Sequence, residues 1–283
     1  AYDNFGIDTS LSSDGSRVAI GATFNDGTSG NANDKRGHVR IYDYNGSAWV
    51  QVGADIDGEA ADDRSGSTVS LSSDGSRVAI GASFNDGNGA DSGHVRIYDY
   101  NGSAWVQVGG DIDGEAADDK SSKLSLSSDG SRVAIGASHN DGNGTDSGHV
   151  RIYDYNGSAW VQVGVDIDGE AAGDKIRKIS LSSDGSRVAI GGTHNDGANG
   201  ADSGHVRVYS ISSGESYQYA WDIDSGGTPP DGTYRATVAG TASATGGAYS
   251  GTQSLTFTLD TTAPTVTLTD TDNDNVVNVS QVV

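Results

Sequence analysis

The chain has 283 residues, 17 Lys and Arg against 39 Asp and Glu, and a formal charge of −22. So acidic a surface repels phosphate backbones and anionic headgroups, which excludes nucleic acid as a partner, and no run of 18 apolar residues offers a membrane insertion. Leu, Ile, Val and Phe make up only about 18% of the chain, a composition at the edge of disorder, and with 42 Gly, 3 Pro and no Cys it is neither collagen-like nor disulfide-stapled.

Order is predicted instead by repetition. The string LSSDGSRVAIG begins at Leu11 and recurs at Leu71, Leu126 and Leu181. SRVAIGA and HVRIYDY alternate with period two, and SAWVQVG is short and β-branched. The intervening SSDGS and YNGS carry the Asp-Gly and Asn-Gly signals of tight hairpins. A further strand precedes each SSDG, as in STVSLS from Ser67, SKLSLS from Ser122 and RKISLS from Arg177. One unit therefore holds four antiparallel strands in about 55 residues, the size of a propeller blade. Such short strands become stable when one sheet stacks on the next and hides its apolar face.

The loop between the second and third strands is where the first copy is longer, NDGTSGNANDKRG from Asn25 against NDGNGADSG from Asn85. A fourth copy is fainter, with Tyr209 and Asp222 repeating the spacing of Tyr42 and Asp55, and it carries the array to Asp224.

The residues FGIDTSLSSDGSRVAIGA, from Phe5 to Ala22, resemble the FG-GAP repeat, with Pro replaced in GAT, GAS and GGT. The resemblance covers residues 1–224 and implies a β-propeller like the head of integrin α-chains. That family commonly closes with seven blades, so four units imply either a partial propeller whose remaining blades lie upstream of Ala1, the reading favoured here, or an open or smaller assembly. Integrin-like members carry a calcium loop between the first two strands of a blade; here that connection is only SSDG.

Composition changes after residue 224: six Thr precede that point and fourteen follow it. DGTYRATVAG from Asp231 and GTQSLTFTLDTTAPTVTLTD from Gly251 alternate as strands, with a hinge at Pro264. They resemble the Ig-like repeats of bacterial surface adhesins, which implies an Ig-like β-sandwich segment over 225–263 and the start of a second repeat over 264–283. The expected fold class is all-β: about four four-stranded blades, then this segment.

For metals, DTDNDNVVN places Asp270, Asp272 and Asp274 at alternate positions with Asn278 following, a spacing that suits calcium. Asn275 replaces the customary Gly of such loops and Gln281 the bidentate acid, and acidic turns in a net-negative chain also occur simply as solvated loops. The same two readings apply to Asp55, Asp57, Glu59 and Asp62, to Asp111, Asp113, Glu115 and Asp118, to Asp166, Asp168, Glu170 and Asp174, and to Asp86, Asn88 and Asp91; there repetition in every unit favours a solvated connecting loop. His38, His94, His149 and His205 hold one position in each unit, so they spread along the array rather than converge, and a structural role is expected. His139 and His194 stand where Phe24 and Phe84 do, as stacked, partly exposed rings. Trp49, Trp105 and Trp160 offer sugar-stacking surfaces, yet their fixed place in a strand favours packing between blades.

No nucleophile elbow lies between a strand and a helix, and no acid is unique to one blade, so no catalytic residue is expected. The composite reading is a non-catalytic extracellular binding or adhesion module of a bacterial surface protein, its partner a protein or glycan at a cell surface. Ligand contacts would come from the loops at Thr28 to Arg36 and Asn195 to Ser203. A polysaccharide-active enzyme and a passive spacer are the alternatives.

Overall fold

A computed structural model describes residues 2–27, 31, 33–196 and 200–211, and the backbone strands 221–223, 232–239 and 252–259. The chain forms two compact units, Ala1–Gly226 and Gly227–Val283. In the first, four antiparallel sheets follow one another in sequence and resemble propeller blades.

Sheet one contains β1 (Thr9–Leu11), β2 (Arg17–Ala22), β3 (His38–Tyr44), β4 (Trp49–Gln51) and β5 (Ile56–Asp57). Sheet two repeats it as β6 (Ser65–Leu71), β7 (Arg77–Ala82), β8 (His94–Tyr100), β9 (Trp105–Gln107) and β10 (Ile112–Asp113). Sheet three contains β11 (Ser121–Leu126), β12 (Arg132–Ala137), β13 (His149–Tyr155) and β14 (Trp160–Asp168). Sheet four contains β15 (Ile176–Leu181), β16 (Arg187–Gly192), β17 (His205–Ser210) and β18 (Trp221–Ile223).

The sequence reading ends the outer strand with SAWVQVG and assigns the DID that follows to a connecting loop; instead the DID segment joins the sheet, and in sheet three one strand pairs with β13 from Trp160 to Asp168. In the first two sheets it breaks, so that β4 and β5 both pair with β3, and β9 and β10 both pair with β8. The break falls at Gly53 and Gly109, both with φ of 75°, a conformation open to glycine. In the second unit, β19 (Gly232–Ala239) and β20 (Thr252–Leu259) form an antiparallel pair from Gly232↔Leu259 to Ala239↔Thr252, where strand alternation is read in the sequence.

The period-two pattern explains how the sheets stack. Val78 and Ile80 of β7 join Ala19, Val39, Ile41 and Ile56 of the preceding sheet in one buried cluster. Ala79, between them, faces the other way and joins Leu124, Leu126, Val133 and Ile135 of the following sheet. The same division recurs for Ala134 against Val188 and Ile190. Every core is thus shared by two consecutive blades, and each Val or Ile fully buried there stabilises by about 1.5–3 kcal/mol. This offsets the chain ordering that composition alone would leave uncompensated.

Polar contacts repeat across the same junctions. Arg17, Arg77 and Arg132 each grip an acid of their own blade, Asp43, Asp99 and Asp154, and donate from Nη1 to a carbonyl of the next blade, Gly75, Gly130 and Gly185, at 2.7–2.9 Å. Trp105 Nε1 donates to Val52 O and Trp160 Nε1 to Val108 O, at 3.0 and 2.9 Å. These two rings pack against the shared cores. Trp160→Phe keeps most of the ring area and loses the donor; the expected cost is about 1 kcal/mol, read from the urea midpoint.

In the SSDGS turns the acid is consumed locally. Asp14 accepts hydrogen bonds from Ser12 Oγ, Ser16 N and Ser16 Oγ at 2.7–2.9 Å, and Asp184 does the same with Ser182 and Ser186. The bond from the first Ser, aided by the second Ser's backbone N–H, lowers each carboxyl from 3.8 to about 2. A folded pKa below the unfolded one contributes stability that is whole above pH 3.8 and lost as pH falls towards 2. The double variant Asp14→Asn, Asp184→Asn is expected to flatten acid unfolding in that window, followed by circular dichroism. An unchanged acid limb would show that these turns do not drive it.

Candidate functional site

In blades two and three the loop between the second and third strands packs against the connection leaving the fourth strand: Asn88 Nδ2 donates to the carbonyls of Gly114 and Glu115, and Asn143 Nδ2 to those of Gly169 and Glu170. Within the loop Asp86 and Asp141 accept from the amides of Asp91 and Asp146 at 2.8 Å. Residues 28–30, 32 and 197–199, in the two loops expected to hold ligand, lie outside the described residues.

The acidic connection divides into two roles. Its last Asp is buried: Asp63, Asp119 and Asp174 accept from backbone amides at Glu59 and Ala60, Ala116, or Glu170 and Ala171, and from Asn85, Asn140 and Asn195. Asp63 and Asp119 escape notice in the sequence because each follows another Asp; only the third copy, where Gly173 precedes Asp174, marks which acid matters. Asp62 and Asp118 are the exposed members of these pairs, with φ of 66° and 67°.

The earlier acids meet the repeated histidines. His94, 1% exposed, turns Nδ1 towards Asp111 Oδ2 at 3.9 Å, and towards Glu59 Oε2 and Asp113 Oδ1 at 4.0 Å. His149, also 1% exposed, faces Glu115 Oε2 at 3.5 Å and Asp166 Oδ2 at 3.8 Å. His205 faces Glu170 Oε2 at 3.3 Å. His38 faces Asp55 Oδ2 at 3.5 Å and Asp57 Oδ1 at 4.0 Å. Glu59, Glu115 and Glu170 come from the blade before their histidine, so the groupings at His94, His149 and His205 span blade junctions.

The acids are held from behind. Arg96 Nη1 lies 3.3 Å from Glu59 Oε1, and Arg151 and Arg207 stand 3.5 Å from Glu115 Oε1 and Glu170 Oε1. Gln107 donates to Asp111 Oδ1 and Gln162 to Asp166 Oδ1, both at 2.6 Å. In Glu59, Asp111, Glu115 and Asp166 one oxygen is engaged and the other is turned to the imidazole, whereas Glu170 Oε2 also accepts from Asn195 Nδ2 at 3.1 Å. Burial, assisted by Arg96 or Arg151, lowers His94 and His149 to about 4, so both rings are neutral at pH 7. Burial also raises Glu59 and Glu115, and neighbouring acids add to the rise against the effect of Arg96 and Arg151.

The four histidines do stay apart from one another, as their spacing implies, yet three of them share ligand-capable groupings with acids: His38, Asp55 and Asp57; Glu59, His94 and Asp111; Glu115, His149 and Asp166. His139 packs differently, with Nδ1 2.9 Å from Ser138 Oγ, while Phe24 and Phe84 flank the Arg64 guanidinium at 5.3 and 3.8 Å. A shallow open depression beside the second junction is lined by Asp111, Asp113, Tyr153, Ala159 and Trp160. Asp270, Asp272, Asp274 and Asn278 lie outside the described residues.

No family model matches the chain, and no curated protein matches it in sequence. Solved structures do resemble it. Hydrazine synthase of Kuenenia stuttgartiensis aligns at TM-score 0.50 and 14% identity, over 77% of this chain and 53% of that one. TolB from Acinetobacter baumannii aligns at 0.43 and 16%, over 73% and 40%. A chain of a mitotic checkpoint complex aligns at 0.44 and 17%, over 71% and 46%. The chain spans about half the length of the structures it resembles, and at these identities the likeness concerns fold alone: repeated four-stranded antiparallel sheets of propeller type.

Proposed function

We propose that the chain is a non-catalytic binding or adhesion module of an extracellular bacterial surface protein, built from FG-GAP-like blades followed by Ig-like repeats. The observation that carries this reading is the placement of sequence differences: the first three blades are near copies in their hairpins and in the strands that these join, while the loop between the second and third strands changes length, from NDGNGADSG at Asn85 to the longer loops at Asn25 and Asn195, a position where variation alters contacts without disturbing the sheets. The ligand class is a protein or glycan. Calcium at Asp270, Asp272, Asp274 and Asn278 belongs to the same proposal, resting on the spacing of those residues.

The test is retention of the full chain on protein and glycan arrays with calcium present, beside a variant carrying NDGNGADSG in place of both long loops. Specific retention that the exchange abolishes supports the reading. Glycan turnover abolished by changing one acid overturns it in favour of an enzyme, and no retention at all overturns it in favour of a spacer. For calcium, a melting transition that EDTA leaves unmoved overturns a structural ion in the Asp270 segment.

A further inference from the structure

We infer that the blade junctions are clasped by divalent transition-metal ions, of the Zn2+ and Co2+ class, held by Glu59, His94 and Asp111 at one junction and by Glu115, His149 and Asp166 at the next. This goes beyond the binding reading and does not depend on it.

The first argument is an unmet polar atom. His94 Nδ1 and His149 Nδ1 are buried and make no hydrogen bond, and leaving such an atom unsatisfied is costly. Each of them points at free carboxylate oxygens that are too distant for a hydrogen bond. The second argument is size. The three ligand atoms of each grouping lie within 4.8 Å of one another, while ligands about 2.0–2.1 Å from a tetrahedral zinc stand about 3.3 Å apart. The His–carboxylate separations of 3.5–4.0 Å lie within about 0.7 Å of that value, and solvent, or Asp113 beside His94, supplies the fourth ligand.

The third argument is orientation. Metal-binding carboxylates are ordinarily aimed by outer hydrogen bonds, and here Arg96 with Gln107, and Arg151 with Gln162, occupy the oxygens that face away. An imidazole nitrogen with two carboxylates matches borderline ions better than calcium, which takes oxygen ligands. At the third junction Glu170 Oε2 faces His205 at 3.3 Å but also accepts from Asn195 Nδ2 at 3.1 Å, so the inference is confined to the first two. Because the Glu comes from one blade and the His and Asp from the next, an ion there cross-links consecutive blades.

The full chain, stripped with EDTA, is titrated with Zn2+ and Co2+ beside the variant Glu59→Gln, Glu115→Gln. Both glutamates are nearly half exposed, and circular dichroism checks that the variant keeps its strands. The expected results are at least two bound ions per chain, a Co2+ ligand-field absorption, and a Tm rise of about 5 °C with excess Zn2+, the rise and two of the ions being lost in the variant. His94→Gln alone is expected to remove one ion. Fewer than one ion per chain would overturn the inference, as would binding and a Tm rise that the glutamine variant retains.

Discussion

Gly81→Ala is expected to destabilise the array by about 3 kcal/mol, lowering Tm by about 6–12 °C. A Cβ at Gly81 would stand 2.3 Å from the Ser122 carbonyl oxygen, in the backbone of the next blade, and one at Gly21 would stand 2.0 Å from Gly66 O. Backbone cannot swing aside as a side chain can, so relief requires the two sheets to separate and uncover their shared core. The repeat supplies its own controls. At Gly136 the nearest atom is the end of a flexible side chain, Ile179 Cδ1 at 2.5 Å, and a smaller loss is expected. At Gly191 the nearest is Lys178 Cβ at 3.7 Å, and Ala should be neutral or slightly stabilising. Four glycines alike in sequence should therefore rank Gly21 and Gly81 first, then Gly136, then Gly191. Equal effects at Gly81 and Gly191 would contradict the packing.

Arg77→Ala is expected to cost about 2–3 kcal/mol in urea unfolding. The guanidinium is bidentate to Asp99, donates to Gly130 O in the next blade, and lies 5.0 Å from the Tyr155 ring centroid and 5.8 Å from that of Trp160. Lys has no planar fork and stacks poorly, so Arg77→Lys should recover little of the loss. Asp99 retains access to water, at 42% side-chain exposure, which keeps the cost below that of orphaning a buried charge. If both Arg77 variants unfold within 0.5 kcal/mol of the parent chain, the clamp across the junction does no more than a surface ion pair.

Strand positions were legible because they need only local information. Alternation in SRVAIGA and HVRIYDY, bounded by Asp-Gly and Asn-Gly, marks β2, β3 and their copies, and the interval between copies marks four sheets. The packing role expected for three tryptophans holds for Trp105 and Trp160 and fails for Trp49, which is 47% exposed; the carbonyls of Val52 and Val108 that receive the indole N–H groups do not follow from strand position.

The groupings around His94 and His149 were not legible, because they depend on the register between blades. Glu59 lies 35 positions before His94, and Asp111 lies 17 after it; neither interval corresponds to a metal-ligand motif. Repetition, which made the acidic loop look like a solvated connector, is also what a junction site made once per blade pair produces. Asking whether the histidines converge on each other overlooks their convergence with acids. The split of the outer strand at Gly53 and Gly109 escapes for another reason: Gly164 has the same φ of 75° in an unbroken β14, so the residue type alone does not decide it.

That consecutive sheets lie face to face is tested most directly by amide hydrogen exchange at Ser13, Ser73 and Ser128. These turn amides lie outside the strand ladders, and each donates to a carbonyl of the following blade, Ser73, Ser128 and Ser183, at 2.7–2.9 Å. Stacked blades predict protection of all three comparable to strand amides such as Val78 and Val133, lost together with theirs on unfolding. Exchange at the rate of an unstructured peptide, with the strand amides still protected, would mean that the sheets form without meeting, and the shared cores would have to be abandoned.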